Sequence, residues 1–152
     1  MAGWRLGWLT GSKEHVDSVL KVKSNVDSGM FLPVQHAAVQ ALKNPVSWHD
    51  SQNEIYRERK EYARKILDLL NCTYDASQVG MFIWAKIPAQ TGDVEEFIDK
   101  LLYDARVFIT PGKIFGSNGE RYIRISLCMD KSVIEEACKR IETMIIKEGE
   151  VV

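Results

Sequence analysis

The sequence predicts an α/β fold in which a small sheet of about three strands is packed with helices. Two observations support this prediction. From about residue 77 onwards, segments whose apolar residues alternate with a period of two are interleaved with segments of helical period. Before that point the helical period dominates and includes one long helix, preceded at the N-terminus by a single predicted strand and two shorter helices. With 152 residues, 45% of them hydrophobic, the chain is long enough to bury a core.

Residues 1–11 predict the N-terminal strand. Trp4 and Trp8 fall on one face by alternation, and Arg5, flanked by two glycines, falls on the other. Glycine in a strand often marks the close approach of another group, and the planar guanidinium of arginine suits a phosphate. On this segment alone, a surface arginine on an amphipathic strand is the better interpretation.

Two helices are expected next. Ser12 is the predicted N-cap of the first, which gives way to a polar loop over residues 21–29. Pro33 suits the first turn of the second helix. That helix carries a stripe of mostly small apolar residues, which would allow close approach to another backbone: Val34, Ala37, Ala38, Ala41 and Leu42.

A long helix is predicted from about residue 48 to residue 70, after the break at Asn44-Pro45. Large apolar residues recur every seven positions along it. The charged residues between 57 and 65 are interpreted as a solvated face, with an ion pair between Glu61 and Lys65 one helical turn apart.

The remaining elements alternate between strand and helix. A strand over residues 81–87 is apolar on both faces and is expected to be buried on both sides. Asp93 begins a helix through a variant of the capping box. Short strands are predicted at 107–109 and 121–129, separated by a loop rich in Gly, Ser and Asn at 113–120. Asp130 caps a final helix, and the tail from residue 147 is expected to be frayed.

Composition excludes several classes of function. The net charge of −1 gives no electrostatic case for a nucleic-acid or membrane partner. No apolar run reaches the roughly 20 residues of a membrane span, and no signal peptide is apparent. The three cysteines, Cys72, Cys128 and Cys138, lack paired or metal-binding spacing and are expected to be reduced, buried thiols of a cytoplasmic protein. The histidines show no metal-ligand pattern either.

Arg124 is the second candidate site residue. On the predicted strand it shares a face with Tyr122 and Ser126, where it would be semi-buried. A semi-buried guanidinium needs an anion or several acceptors, because burying an unpaired charge is costly. Spacing alone modestly favours an ion pair with a nearby Asp or Glu, and leaves a bound ligand open.

Three motifs together resemble the C-terminal portion of class I/II aminotransferases, pyridoxal-phosphate enzymes of fold type I. They are Ala-Gly-Trp-Arg-Leu-Gly-Trp at residues 2–8, Val-Gly-Met-Phe-Ile-Trp at 79–84, and Pro-Gly-x-x-Phe-Gly at 111–116 followed by Tyr-Ile-Arg-Ile-Ser at 122–126. The resemblance implies that Arg5 binds the cofactor phosphate and Arg124 binds the α-carboxylate of the substrate. The Schiff-base lysine of the family would lie about four residues before Met1, so the chain contains no catalytic residue.

The resemblance also implies an organisation and an activity. Residues 1–45 would be the tail of the large cofactor-binding domain, and residues 46–152 the small domain with its linking helix. The intact enzyme would transfer an amino group between an amino acid and a 2-oxo acid, using pyridoxal 5'-phosphate. This chain alone would not be catalytically competent and would not hold the cofactor.

Other functions remain open. One is a non-catalytic interaction or dimerisation module, because two tryptophans on an unpaired edge strand should seek a partner. Another is a lyase or decarboxylase of the same fold. Association as a homodimer is predicted through residues 1–45. The substrate stays undetermined, although residues 21–29 resemble a segment of diaminopimelate and aspartate-type bacterial aminotransferases.

Overall fold

The computed structural model describes residues 2–149, without the side chains of residues 2, 148 and 149. It confirms the mixed α/β fold class, with one antiparallel sheet of four strands. The chain divides into two compact units, residues 1–50 and residues 51–152. The predicted domain boundary after residue 45 stays a prediction.

The first unit contains two helices, α1 (Lys13–Val26) and α2 (Leu32–Leu42), and the start of a third. Neither α1 nor α2 contains a buried residue. The predicted stripe of α2 is its less exposed side, apart from Leu42, which is 69% exposed. Pro33 lies in the first turn as expected. No described side chain of this unit is buried, so its described helices form no apolar core.

The predicted N-terminal strand is wrong. Ala2–Trp4 form one turn of 3-10 helix, Arg5 has a left-handed backbone with φ 55°, and residues 6–10 have no regular structure. A strand needs a neighbour to accept and donate its backbone hydrogen bonds. The described residues of this unit contain no strand with which the predicted strand could pair.

Helix α1 is longer than predicted because polarity by itself does not end a helix. Lys23 pairs with Asp27 at 2.7 Å one turn later, and Asn25 donates to the carbonyl of Lys21 at 2.6 Å. The helix ends before Gly29, where φ is 132°. Ser12 occupies the predicted N-cap position, but its hydroxyl contacts His15 Nδ1 at 2.9 Å rather than a backbone amide.

The second unit is a sheet covered on one face by helices. Helix α3 (Val46–Leu69) leads into β1 (Thr73–Tyr74) and β2 (Phe82–Lys86), followed by α4 (Val94–Lys100), β3 (Thr110–Pro111), β4 (Tyr122–Ser126) and α5 (Lys131–Gly149). The strand order is β1-β2-β4-β3, and all pairs are antiparallel. Strand β1 was not predicted, because two residues are too few to show a period.

The core lies between one sheet face and the helices α3, α4 and α5. Ile83, Ala85, Ile123 and Ile125 point into it from the two central strands. The predicted burial of β2 on both sides is wrong, since Phe82 is 39% exposed and Trp84 is only partly buried. The apolar stripe predicted for the last helix is confirmed, with Ile134, Cys138 and Ile141 buried.

The charged stretch of α3 is not wholly solvated. The side chain of Arg59 is only 15% exposed, and its two terminal nitrogens donate to the carbonyl of Leu127 and to Asp130, each at 3.1 Å. Glu61 pairs with Arg64 at 3.4 Å, whereas the predicted partner, Lys65, lies over a tyrosine ring. Helical spacing places these residues correctly on α3 but does not show what packs against them.

Loops also differ from the predictions. Residues 107–109 are irregular, and the edge strand forms at β3 instead. The predicted loop after it contains two 3-10 turns, Gly112–Phe115 and Ser117–Gly119. Asp130 precedes α5 as predicted, with its carbonyl accepting from the amides of Val133 and Ile134. Helix α5 continues to Gly149, and the rest of the predicted frayed tail lies outside the described residues.

All three cysteines are free thiols, but the prediction of burial is wrong for Cys128, which is exposed. Burial raises the pKa of Cys72 to about 11 and also raises that of Cys138. No helix within residues 2–149 is both long and apolar enough to cross a membrane. The same residues contain no group of three or more His, Cys, Asp or Glu side chains that could hold a metal ion.

Candidate functional site

The sheet face opposite the core carries an aromatic cluster around one arginine. The register of β2 and β4 places Trp84 directly opposite Arg124, and Phe82 opposite Ser126. Thr110 of β3 lies on the other side of Arg124. Because side chains alternate between the faces of a sheet, these residues all project away from the apolar core.

Two phenyl rings contact the guanidinium of Arg124. Its central carbon lies 4.3 Å from the ring centre of Phe82 and 4.4 Å from that of Phe115. A cation over the face of an aromatic ring is attracted by the ring quadrupole, by about 0.5–1 kcal/mol at exposed sites and about 2 kcal/mol when desolvated. The two contacts restrict the arginine rotamer without using any of its hydrogen-bond donors.

The guanidinium of Arg124 has no hydrogen-bond or ion-pair partner among the described residues, and its Nε atom is buried. The ion pair favoured by spacing is therefore wrong. The neighbouring Arg121 shows the contrast, since it donates to the carbonyls of Pro88, Thr91 and Gly92 at 2.5–2.8 Å. A semi-buried cation with unused planar donors fits an anion with two coplanar oxygens, such as a carboxylate.

The loop that carries Phe115 is held by two glycines. A Cβ atom on Gly112 would lie 2.6 Å from the carbonyl oxygen of Gly119 and 2.7 Å from the Trp84 ring, so no side chain fits there. Gly116 has φ 118° and ψ 171°, a backbone conformation that L-residues rarely adopt. The two glycines of the Pro-Gly-x-x-Phe-Gly motif thus allow the loop to fold tightly enough for Phe115 to contact Arg124.

Trp84 connects the loop to the sheet. Its ring stacks on Tyr122 with a centroid distance of 5.3 Å and an interplanar angle of 12°, and meets Phe115 edge-on at 5.9 Å. At the other end of the loop, Lys113 pairs with Glu95 at the start of α4, at 2.8 Å. This hydrogen bond raises the pKa of Lys113.

A cavity of about 410 Å³ borders the arginine. Arg124 and Ser126 contribute to its wall, and so do Arg106, Glu136 and Arg140. The rest is mostly apolar and includes the core residues Ile66, Ile125 and Ile134. A cavity with apolar walls and a few polar groups is the usual form of a small-molecule site. The unused donors of the Arg124 guanidinium can hold a small organic acid by its carboxylate.

Arg5, the other predicted site residue, belongs to the first unit. It is exposed and has no hydrogen-bond or ion-pair partner among the described residues. The two flanking glycines lie in open space, where an added Cβ would meet nothing within 4 Å. Its free guanidinium has the chemistry to bind a phosphate, but the structure shows no close backbone approach that would explain the glycines.

The sequence matches the family described as "Aminotransferase class I and II" over residues 1–141. The chain belongs to this aminotransferase family. An LL-diaminopimelate aminotransferase of Maridesulfovibrio salexigens is 38% identical over 144 residues, which are 95% of this chain and 37% of that protein. One of Desulforudis audaxviator is 39% identical over 141 residues, 93% of this chain and 36% of the relative.

Solved aminotransferase structures share the fold. The probable N-succinyldiaminopimelate aminotransferase of Thermus thermophilus is 30% identical and superimposes with a TM-score of 0.79. The match covers 95% of this chain and 38% of the Thermus chain. The chain therefore spans little more than a third of the length of the aminotransferases it matches.

The aminotransferase motifs differ in how fully the structure explains them. The two motifs around Arg124 come together in the structure, and Phe82 and Phe115 are functional candidates that the sequence alone did not indicate. Their positions within the quoted motifs were a signal, but their contact with Arg124 depends on strand register and loop folding. Arg5 lies in the other unit, and its role remains a prediction.

Proposed function

We propose that this chain supplies the carboxylate-binding site of a pyridoxal-phosphate-dependent aminotransferase, which transfers an amino group between an amino acid and a 2-oxo acid. The observation that carries the proposal is the guanidinium of Arg124, which contacts two phenyl rings and has no hydrogen-bond or ion-pair partner among the described residues. Its in-plane donors would bind both oxygens of the α-carboxylate. Holding the carboxylate in one plane orients the α-carbon, which is the reacting centre.

The residues of the chain fit one part of the cofactor. The exposed guanidinium of Arg5 would bind the phosphate of pyridoxal phosphate, and the bound cofactor would withdraw electrons from the α-carbon of the substrate. We propose that further polypeptide of the enzyme supplies the lysine that holds the cofactor, since the chain spans only 37% of the Maridesulfovibrio salexigens relative.

The substrate class follows from the relatives and from one segment. Proteins named LL-diaminopimelate aminotransferases match nearly the whole chain, and residues 21–29 resemble a segment of diaminopimelate and aspartate-type enzymes. We infer a diaminopimelate-type amino acid as the substrate. The free thiols support the cytoplasmic location predicted from the sequence.

An association function is the second candidate. Trp4, Trp8 and Phe31 are 64%, 75% and 72% exposed, in a unit whose described helices α1 and α2 bury no residue. Large exposed apolar residues in such number usually mark an interaction surface. We propose that residues 1–45 associate with further polypeptide of the enzyme, including a second subunit of a homodimer.

Carboxylate binding can be tested on the chain itself. Pyruvate is titrated into isotope-labelled protein, and the backbone amide resonances of β4 are followed by NMR together with the Arg124 side-chain resonances. The amide resonances report binding in the variant that lacks Arg124. We expect a dissociation constant on the order of millimolar, because one arginine supplies most of the interaction. Arg124→Gln should weaken binding at least about tenfold. Arg57→Gln, at an exposed arginine of α3 paired with Glu54, is the matched control. Equal binding by the Arg124→Gln and control variants would refute the carboxylate site.

Transamination requires a complementation test. The chain is co-expressed with the part of the Maridesulfovibrio salexigens relative that precedes the matched segment, and assembly is checked by co-purification. We expect amino transfer from LL-diaminopimelate to a 2-oxo acid in the presence of pyridoxal phosphate. An assembled complex containing Arg124→Gln that works as fast as the unsubstituted one would contradict the proposed role.

A further inference from the structure

We propose that Gln78 is a positioning residue for the Arg124 site, acting through the backbone of Trp84; the inference rests on the proposed carboxylate-binding function. Gln78 lies between β1 and β2 and is partly buried. Its described hydrogen bonds do not include Arg124. Its role follows from what happens at the outer edge of β2.

Strand β1 ends too early to cover β2. It pairs only through Thr73 with Lys86 and Tyr74 with Ala85, so the next pair would set Asp75 against Trp84. The chain turns away at that point instead, and the Asp75 carboxylate accepts hydrogen bonds from the amide and hydroxyl of Ser77 at 2.8 and 2.7 Å. The amide and carbonyl of Trp84 therefore have no backbone partner on the β1 side.

The side chain of Gln78 takes the place of the missing strand residue. Its Oε1 accepts from the amide of Trp84 at 2.8 Å, and its Nε2 donates to the carbonyl of Trp84 at 2.9 Å. The second Nε2 proton reaches the carbonyl of Asp75 at 3.0 Å. The backbone carbonyl of Gln78 in turn accepts a hydrogen bond from Lys60 of α3. The Gln78 carboxamide thus makes the two hydrogen bonds to Trp84 that a paired strand residue would make. It also joins Trp84 to Asp75, the residue that follows β1.

Gln78 fixes the backbone of Trp84, the residue opposite Arg124. The Trp84 ring stacks on Tyr122 and meets Phe115, which is one of the two rings that contact the guanidinium of Arg124. If β2 moved at Trp84, the loop that rests on this ring would follow. The position of Gln78 therefore controls how closely Phe82 and Phe115 restrict the Arg124 side chain. It thereby also controls how much rotamer freedom the arginine loses when it binds a carboxylate.

The chemistry of an amide is required at this position. Gln78→Leu removes both the donor and the acceptor. Gln78→Glu keeps the shape, but an ionised carboxylate cannot donate and would place an oxygen against the carbonyls of Trp84 and Asp75. Gln90→Leu changes an exposed glutamine of the same unit that makes none of these contacts, and is the matched control.

The test measures position and binding separately on the full chain by NMR. In both Gln78 variants we expect hydrogen exchange of the Trp84 backbone amide to become at least about tenfold faster. We expect the ring-current-shifted Arg124 side-chain resonances to move towards their unstructured values, and the dissociation constant for pyruvate to rise about three- to tenfold. The control variant should match the unsubstituted chain in all three measurements. Thermal unfolding identifies any variant that is globally disrupted, and the isosteric Glu variant serves if the Leu variant does not fold.

Two outcomes separate the inferences. If Trp84 exchange accelerates while the Arg124 shifts and pyruvate affinity stay unchanged, Gln78 is only a local edge partner and the positioning role is overturned. If the unsubstituted chain does not bind pyruvate but the Arg124 shifts still move in the Gln78 variants, the positioning role stands. In that case it is the proposed carboxylate-binding function that is overturned.

Discussion

Gly112→Ala should be among the most damaging single substitutions in the second unit. The added Cβ would lie 2.6 Å from the carbonyl oxygen of Gly119, 2.7 Å from that of Tyr122 and 2.7 Å from the Trp84 ring. Ordinary carbon–oxygen contacts are about 3.3 Å or longer, so the overlap is roughly 0.6 Å with each of two backbone atoms. Relief requires the loop to move away from β4.

The cost can be bounded from these contacts. Overpacking a well-filled site typically costs about 1–3 kcal/mol, and two backbone obstacles place Gly112→Ala at or above the upper end. For a unit of this size, each kcal/mol lowers the melting temperature by about 4–8 °C, so a fall of more than about 10 °C is expected. Because the same movement withdraws Phe115 from Arg124, pyruvate binding should weaken in the protein that remains folded.

The assay is thermal unfolding followed by circular dichroism, together with the pyruvate titration. Gly92→Ala is the matched control, because its Cβ would meet only the end of the flexible Glu96 side chain at 3.2 Å. We expect the control to change stability by less than about 0.5 kcal/mol. If the two alanine variants melt within about 2 °C of each other, the loop is not held by the close glycine contact.

Three further predictions concern strain, charge and pH. Gly116→Ala should lower the free energy of unfolding by about 1–3 kcal/mol in urea titrations. The loss would come from backbone strain alone, since the added Cβ would meet no atom within 4 Å. An unchanged free energy of unfolding would show that the loop relaxes freely. Arg59→Met should lower the free energy of unfolding more than Asp130→Asn in the same titrations. The arginine side chain is 15% exposed and the aspartate 84%, and an exposed ion pair contributes less than about 1 kcal/mol. A larger loss for Asp130→Asn would contradict this prediction. The pKa of Cys72 is raised by burial from 9.0 to about 11, so its contribution to stability is fully present below pH 9 and is lost as the pH rises through 11. Cys72→Ala should flatten this alkaline dependence in unfolding titrations at several pH values, and an unchanged slope would assign it to other groups.

The starts of α3, α4 and α5 were the most predictable part of the fold, because the residues that set them act locally. Pro45 precedes α3, and Asp93 caps α4 by accepting a hydrogen bond from the Glu95 amide at 2.7 Å. Asp130 stands immediately before α5. Each signal depends only on neighbouring residues, so the sequence was sufficient.

Strands were predicted less well, because a strand is defined by its partner. The alternation at residues 1–11 has no partner among the described residues of the first unit, and no strand forms there. The apolar residues at 107–109 likewise stay irregular, and the pairing with β4 occurs at Thr110 and Pro111. Neither outcome can be read from the period of the apolar residues.

The sequence by itself determined the family, the helices and the face of β4 on which Arg124 lies, since these depend on motifs and local periodicity. Only the tertiary structure decided that Arg124 has no acidic partner among the described residues, that Phe82 and Phe115 cover its guanidinium, and that Gln78 completes the edge of β2. These features join residues from strands and loops far apart in the chain. Their distances are set by strand register and by the contact of two glycine backbones, which no single segment encodes.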